Sequence, residues 1–467
     1  MNTHATTGTK TMWTGLLGFA CALVAVVPLA AADTAPRRPN IVVILTDDQR
    51  FDTLSCLGHP ILRTPHLDAL ATKGTIFRNA FVTTSICSIS RATLLTGQYA
   101  SRHGIHDFVK PLTPEQLANS FPVRLRQAGY RTGLVGKWGL GGDLPIAAYD
   151  YFTGNSGQGD YFPKGQRGTG EHLTDVQARE ALQFLADVRP DQPFLLQICT
   201  KAPHCQDGDP WQYQPAPRYQ SLYADAIYPR PVSATPADFL SQPLFLQKSE
   251  GRVRWERRFT DELYDATVRD YFRLIQGIDD LVGAVTARLQ ERGVADNTII
   301  VFTSDNGHYL GEHGLADKWF MHEESIRVPL FITDPRQPST ESSRERQEMI
   351  LNIDLAPTIF ELAGVEPAPK LQGRSLVPLL HGEAPGDWRT EYFYEHRFVH
   401  PGIAQTEGIR TNRWKYTRYV SETPVYEELF DLKTDPYERT NLVGHADAAA
   451  MLAELRQKTD VAAQAVK

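Results

Sequence analysis

The order of apolar and polar positions predicts an α/β chain. Ile41-Val42-Val43-Ile44-Leu45 is a continuous, largely β-branched run, the pattern of a strand buried on both faces of a parallel sheet. Three later runs read as further strands: Thr132 to Val135, Phe194 to Ile198 and Ile299 to Phe302. Thr64-Pro65 opens a helix, with Thr64 as N-cap and Pro65 at the first helical position. Leu67, Leu70 and Ala71 give that helix one apolar face. Tyr264 to Arg292 reads as a long amphipathic helix: Ile275, Ile278, Val282, Val285 and Leu289 fall on one stripe, and Gly293 follows as the stop. Strands alternating with helices require a sheet covered on both faces.

The character changes after about Pro385. Glu391 to Arg397, Gly408 to Val420 and Leu429 to Leu432 are short, aromatic-rich runs that suggest a small antiparallel sheet, followed by a helix from about Ala446 to Lys458. Pro203 to Arg257 reads as a long loop or insertion. The predicted architecture is a large mixed, mostly parallel sheet sandwiched by helices, with a smaller C-terminal antiparallel sheet plus helix. The predicted division places residues 33–385 in the large α/β domain and 386–467 in the C-terminal α+β subdomain.

Residues 1–32 read as a signal peptide. Lys10 is the only charged side chain before Asp33, an apolar run extends from Trp13 to Leu29, and Ala30-Ala31-Ala32 supplies small residues for cleavage. The expected location is therefore periplasmic or secreted, with no stable membrane anchor. Composition adds exclusions. A net charge of -7 with no basic run argues against nucleic-acid binding. Cys56, Cys87, Cys199 and Cys205 are too few for a disulfide scaffold, and spacing alone leaves a Cys199–Cys205 bridge open.

In open α/β sheets, ligands bind beyond the carboxyl ends of the strands. Thr46-Asp47-Asp48 follows the first run, Gly136-Lys137 the second, Lys201-Ala202-Pro203-His204 the third and Ser304-Asp305-Asn306-Gly307 the fourth. If these strands are parallel neighbours, three carboxylates, an amide, two lysines and a histidine face one crevice. Asp47, Asp48, Asp305 and Asn306 offer only oxygen, which favours Ca²⁺ or Mg²⁺ over Zn²⁺. A helix should start just after Cys87 and close near Gly97, so Cys87 meets the positive end of a helix dipole with Arg91 one turn on.

Cys87-x-x-x-Arg91 followed by Ala-Thr-Leu-Leu-Thr-Gly-Gln-Tyr resembles the signature of type I sulfatases of the alkaline-phosphatase superfamily. The other strand-end segments match in the same order, as do Asp317-Lys318, Glu323 to Pro329 and Leu429-Phe430-Asp431-Leu432. The resemblance implies a sulfatase acting on a sulfated carbohydrate. A maturation enzyme would convert Cys87 to formylglycine, whose hydrate is the nucleophile. Asp47, Asp48, residue 87, Asp305 and Asn306 would hold the calcium. It also implies that Lys137 and Lys318 meet the sulfate charge, that His204 serves the leaving oxygen and that Arg91 holds the nucleophile. His308, His313, Asp52, His103 and His106 stay without a role. Two positions depart from the family pattern: Ile89 stands where Pro or Ala is usual, and Gly139 where many members have histidine. Two other readings stay open, a phosphoester or phosphonate hydrolase of the same superfamily and a non-catalytic binder of sulfated glycans.

Overall fold

The computed structural model describes residues 1, 4–15, 37–189, 191–337 and 344–467. It divides into two compact units, Met1–Arg37 and Arg38–Lys467. In the first, the described residues form no helix or strand. Most of the apolar leader, with Ala30 to Ala32, lies outside the described residues. The second unit carries everything that follows.

Among the described residues, eleven strands precede the C-terminal sheet: β1 (Asn40–Asp47), β2 (Thr75–Phe81), β3 (Arg131–Lys137), β4 (Tyr151–Asn155), β5 (Phe194–Pro203), β6 (Thr298–Ser304), β7 (Tyr309–Leu310), β8 (Ala316–Asp317), β9 (Arg327–Val328), β10 (Leu330–Thr333) and β11 (Arg344–Leu351). The large sheet runs β11-β2-β10-β6-β1-β5-β3-β4, with β9 on β2; β7 and β8 form a separate hairpin. The strands β6, β1, β5 and β3 are parallel neighbours, as the site expectation requires. Among the described strands of the large sheet, β9 and β10 run against their neighbours.

Both faces of the sheet are buried. Ile41, Val43 and Leu45 point into one core, Val42 and Ile44 into the other. The second core is closed by the helix Tyr264–Glu291, whose predicted stripe is fully buried. Gly293 follows that helix with φ +65°, the left-handed stop that glycine adopts without strain. The helix Pro65–Thr72 starts at Pro65 as predicted, but Thr64 makes no cap bond to it. Asp279, from the long helix, caps it instead, accepting from Leu67 N at 2.8 Å and His66 N at 3.3 Å.

The C-terminal sheet has four antiparallel strands, β12 (Glu391–His396), β13 (Thr406–Thr411), β14 (Trp414–Tyr419) and β15 (Tyr426–Asp431). The run Gly408 to Val420 is thus mostly two strands and a turn. Tyr392, Tyr394, Tyr416 and Leu429 of this sheet join the same core as the Cys87 helix. The last helix, Ala449–Ala465, begins three residues later and ends seven later than predicted. Within Pro203 to Arg257, helices Pro236–Ser241, Leu244–Gln247 and Glu250–Arg258 replace much of the expected loop. Among the described residues the four cysteines are unpaired, and no helix is long and apolar enough to cross a membrane.

Candidate active site

The strand ends converge. Thr46 lies opposite Ser304 across β1 and β6, which sets Asp47 and Asp48 beside Asp305 and Asn306. Asp305 Oδ1 accepts from Asp48 N at 3.3 Å, and Asn306 Nδ2 donates to Asp48 Oδ1 at 2.6 Å. Asp48 holds φ +64°, a conformation that costs an aspartate energy and turns the chain sharply at the strand end.

Cys87 is the first residue of the buried helix Cys87–Thr96, which Gly97 ends with φ +62°. Its thiol is within electrostatic reach of Lys137, Lys318, Asp47 and Asp305, and burial raises its pKa despite the two lysines. Arg91, one turn along, donates from Nε to Asp305 Oδ2 at 2.9 Å and from one terminal nitrogen to Lys137 O at 2.9 Å. Lys137 closes on Asp47 and Lys318 on Asp48. Lys318 comes from the turn after β8, flanked by Asp317 at φ +64° and Trp319 at φ +88°. Three acids therefore meet three cations, all buried. Burial pushes the Asp47 carboxyl up, but Lys137, His204, Arg91 and Lys318 outweigh it and hold Asp47 below the ordinary range.

His204 Nε2 stands 3.6 Å from Asp48 Oδ2. Its Nδ1 is 2.7 Å from Cys205 O. A carbonyl only accepts, so Nδ1 carries the proton in the neutral ring and Nε2 faces the site unprotonated. His308 Nδ1 lies 3.8 Å from the same Asp48 oxygen, and its Nε2 is 2.8 Å from Tyr213 OH.

Three buried oxygens in this cluster lack any hydrogen-bond partner: Asp47 Oδ1, Asp48 Oδ2 and Asn306 Oδ1. Ligand atoms of Asp47, Asp48 and His204 lie within 4.8 Å of one another. Orphaned buried oxygens are costly unless something meets them, and hard oxygens of this kind fit Ca²⁺ or Mg²⁺. Asp305 differs from the other acids because both its oxygens are already engaged, by Asp48 N and Arg91.

Other candidates lie elsewhere. Lys201 turns away to Gly159 O at 2.5 Å and Gln206 Oε1 at 2.6 Å. His313 stacks on His322 with ring centres 4.2 Å apart, and His103 bonds Thr93 at 3.1 Å. Asp52 pairs with Arg50 at 2.6 Å, while His106 is partly buried. Among aromatics that could stack on a sugar ring, Tyr213 and Tyr394 are core residues, Trp388 donates to Met349 O and Trp211 is exposed. Sequence reasoning missed the support of this site. Arg254 and Arg258 clamp Asp317, Tyr271 OH donates to Asp48 O at 2.7 Å, and Gln158 Nε2 lies 3.2 Å from His204. The Asp317 side of the clamp had a signal, its place in the matched Asp-Lys pair; the arginines had none. Ile89 is fully buried in the core. Gly139 has φ +76°, and a Cβ there would stand 2.9 Å from Arg91 Cδ.

The Sulfatase family matches residues 39–365, and the C-terminal family of N-sulphoglucosamine sulphohydrolase matches 311–465. An N-acetylglucosamine-6-O-sulfatase of Bacteroides thetaiotaomicron is 30% identical over 90% of this chain and 85% of its own. A multifunctional alkaline phosphatase superfamily protein of Trinickia caryophylli, PehA, is 30% identical over 90% of this chain and 94% of its own. A solved structure in complex with its substrate D-glucosamine-2-N,6-O-disulfate superposes with a TM-score of 0.81 at 28% identity, covering 92% of this chain and 98% of that one. Matched along most of its length, the chain belongs to the sulfatase family of the alkaline-phosphatase superfamily and is a sulfuric ester hydrolase.

Proposed function

We propose that this enzyme removes 6-O-sulfate from glucosamine units of sulfated glycans, using a formylglycine made from Cys87 and a Ca²⁺ ion held by Asp47, Asp48, Asp305 and Asn306. One observation carries this reading: three unpartnered oxygens, on Asp47, Asp48 and Asn306, share a buried cluster with Cys87, Lys137 and Lys318. The glucosamine 6-sulfate choice is supported by the relatives that act on that group. When present, the cation and the formylglycine hydrate together supply an activated hydroxyl nucleophile for sulfur.

The protein's own residues supply the rest. Lys137 and Lys318 would each give part of their contact with Asp47 and Asp48 to the sulfuryl oxygens, and so meet charge spread over the transition state. His204 would take up a proton at Nε2, against the burial that lowers its pKa, and give that proton to the departing sugar oxygen, with Nδ1 fixed on Cys205 O. Arg91 orients Asp305 and the end of β3. Export by the apolar leader would place the enzyme where glycans are met. Conversion of Cys87 requires a maturation enzyme that accepts Ile89.

The test pairs the mass of the Cys87 peptide with sulfate release from glucosamine 6-sulfate. Formylglycine with sulfate release supports the proposal. Intact cysteine with tight binding and no turnover would favour the non-catalytic binder. PehA's name, a multifunctional protein of the superfamily, gives the phosphoester or phosphonate reading specific support. Faster turnover of an aryl phosphate or phosphonate than of an aryl sulfate would favour it.

A further inference from the structure

A second cavity of about 570 Å³ lies beside the catalytic cluster, and none of the catalytic or metal-site candidates lines it. That volume is within the roughly 300–1,000 Å³ range of small-molecule sites. It is enclosed by the loop after β1, residues 228–233, the start of the long helix, the Glu323–Ile326 turn and residues 432–437. Tyr271 links a lining residue to the catalytic cluster: its OH accepts from Arg50 N at 3.3 Å and donates to Asp48 O at 2.7 Å.

Its lining is built and almost fully paired. Arg50 meets Glu312 at 2.6 Å, and Arg410 meets Glu323 at 3.1 Å. Aromatic faces stand among these pairs, with Arg327 4.4 Å from the centre of Phe51 and Arg230 3.8 Å from that of Tyr264. Four arginines line the cavity beside Asp52, Glu312, Glu323 and Glu324. The exception to the pairing is Glu324. It is only 7% exposed, it lines the cavity, and its Oε2 has no hydrogen-bond partner. Burial, with Glu312 and Glu438 nearby, drives its pKa well above the usual carboxylate range. A neutral acid of this kind offers one donor and one acceptor to a ligand hydroxyl. Tyr437, about half exposed, lies at the rim.

We propose that this cavity is a second carbohydrate site, which holds an uncharged pyranose unit of a glycan against Phe51 and Tyr264 with a ring hydroxyl on Glu324. The choice of sugar rests on the glycan reading above. Each of the other lining arginines and carboxyls already has a hydrogen-bond partner, Arg327 through Arg78 O and Asn79 Oδ1, which leaves Glu324 as the group open to a ligand. Aromatic faces beside planar hydrogen-bonding groups match the alternating C–H faces and equatorial hydroxyls of a pyranose.

The experiment is a calorimetric titration of the unsulfated β-1,4-linked disaccharide of N-acetylglucosamine into the full chain. Wild type and Lys318→Ala should bind it equally at millimolar concentrations. Glu324→Leu should weaken binding by about tenfold or more, as expected when one buried hydrogen-bonding group is lost. Glu324→Gln, which keeps a donor and an acceptor, should retain most of it. Absence of binding to wild type overturns the proposal. So does binding lost in Lys318→Ala and kept in Glu324→Leu, since the sugar would then sit in the catalytic site. If Glu324→Leu does not fold, Tyr437→Ala at the rim gives the same readout, and unchanged affinity there overturns the proposal. Sulfate release from glucosamine 6-sulfate by wild type is measured alongside, so a failed glycan reading is seen separately from an empty cavity.

Discussion

Replacing Gly139 with alanine isolates a contact on which the proposed catalytic geometry depends. The added Cβ would lie 2.9 Å from Arg91 Cδ, 3.1 Å from Lys137 Cε and 3.3 Å from Arg91 Nε. Gly139 also sits at φ +76°, which costs an L-residue about 1–2 kcal/mol. Crowding a packed interior adds about 1–3 kcal/mol. Gly293→Ala is the control, because Gly293 has φ +65° and nothing within 4 Å of its added Cβ. Urea midpoints should therefore fall in both variants, and further in Gly139→Ala by about 1–3 kcal/mol.

Turnover separates the two variants more sharply. Arg91 cannot yield without loosening its 2.9 Å bonds to Asp305 and to Lys137 O, and a displacement of this order at a catalytic group costs up to roughly 100-fold in rate. Sulfate release should drop at least about tenfold in Gly139→Ala and stay unchanged in Gly293→Ala. Equal stability and equal turnover in the two variants would refute the reasoning. The same contacts predict that Gly139→His, which restores the residue common in related signatures, lowers activity rather than raising it.

Calcium should raise the melting temperature and a chelator lower it, by an amount worth about 2.7 kcal/mol at a hundred times the dissociation constant. Asn306→Leu should shrink that shift, and equal melting with calcium and chelator would contradict the cation site. Asp317→Asn should destabilise by about 3–5 kcal/mol, because it strips the fully buried Arg258 of its partner; a loss under about 1 kcal/mol would show the clamp to be dispensable. Burial lowers the pKa of His172 and His313 to about 4 and of His103 and His396 to about 3. Below pH 6.5 these four histidines therefore bind more protons in the unfolded chain than in the folded one. Stability held above that pH should be lost as pH falls towards 4, by at most about 1.4 kcal/mol per pH unit per group. A urea midpoint that stays flat between pH 7 and 5 would count against it.

The sequence displayed the central strands because all four are buried on both faces: β1 and β6 read as unbroken apolar runs, and β3 and β5 as shorter apolar stretches. It hid β2 and β11 because both carry charged residues, and β10 because it is only four residues long. The turn between β13 and β14 contains neither glycine nor proline. Thr411 makes it with its hydroxyl, accepting from Trp414 N at 2.8 Å and Arg413 N at 3.2 Å, a weak signal in sequence.

The same limits explain the site. Lys137 and Lys201 look alike in sequence, each at the end of an apolar run. Lys137 ends β3 in regular pairing and reaches Asp47. In β5 the pairing shifts between Cys199, opposite Leu45, and Pro203, opposite Asp47, so two residues of β1 span four of β5. Such a bulge resets which face each side chain takes. Lys201 falls inside it and stacks 4.6 Å from the centre of Tyr161 instead, while His204 is carried beside Asp48. Periodicity can propose which strand ends share a crevice. Whether a particular lysine enters it is decided by one irregular register that no pattern of apolar residues records.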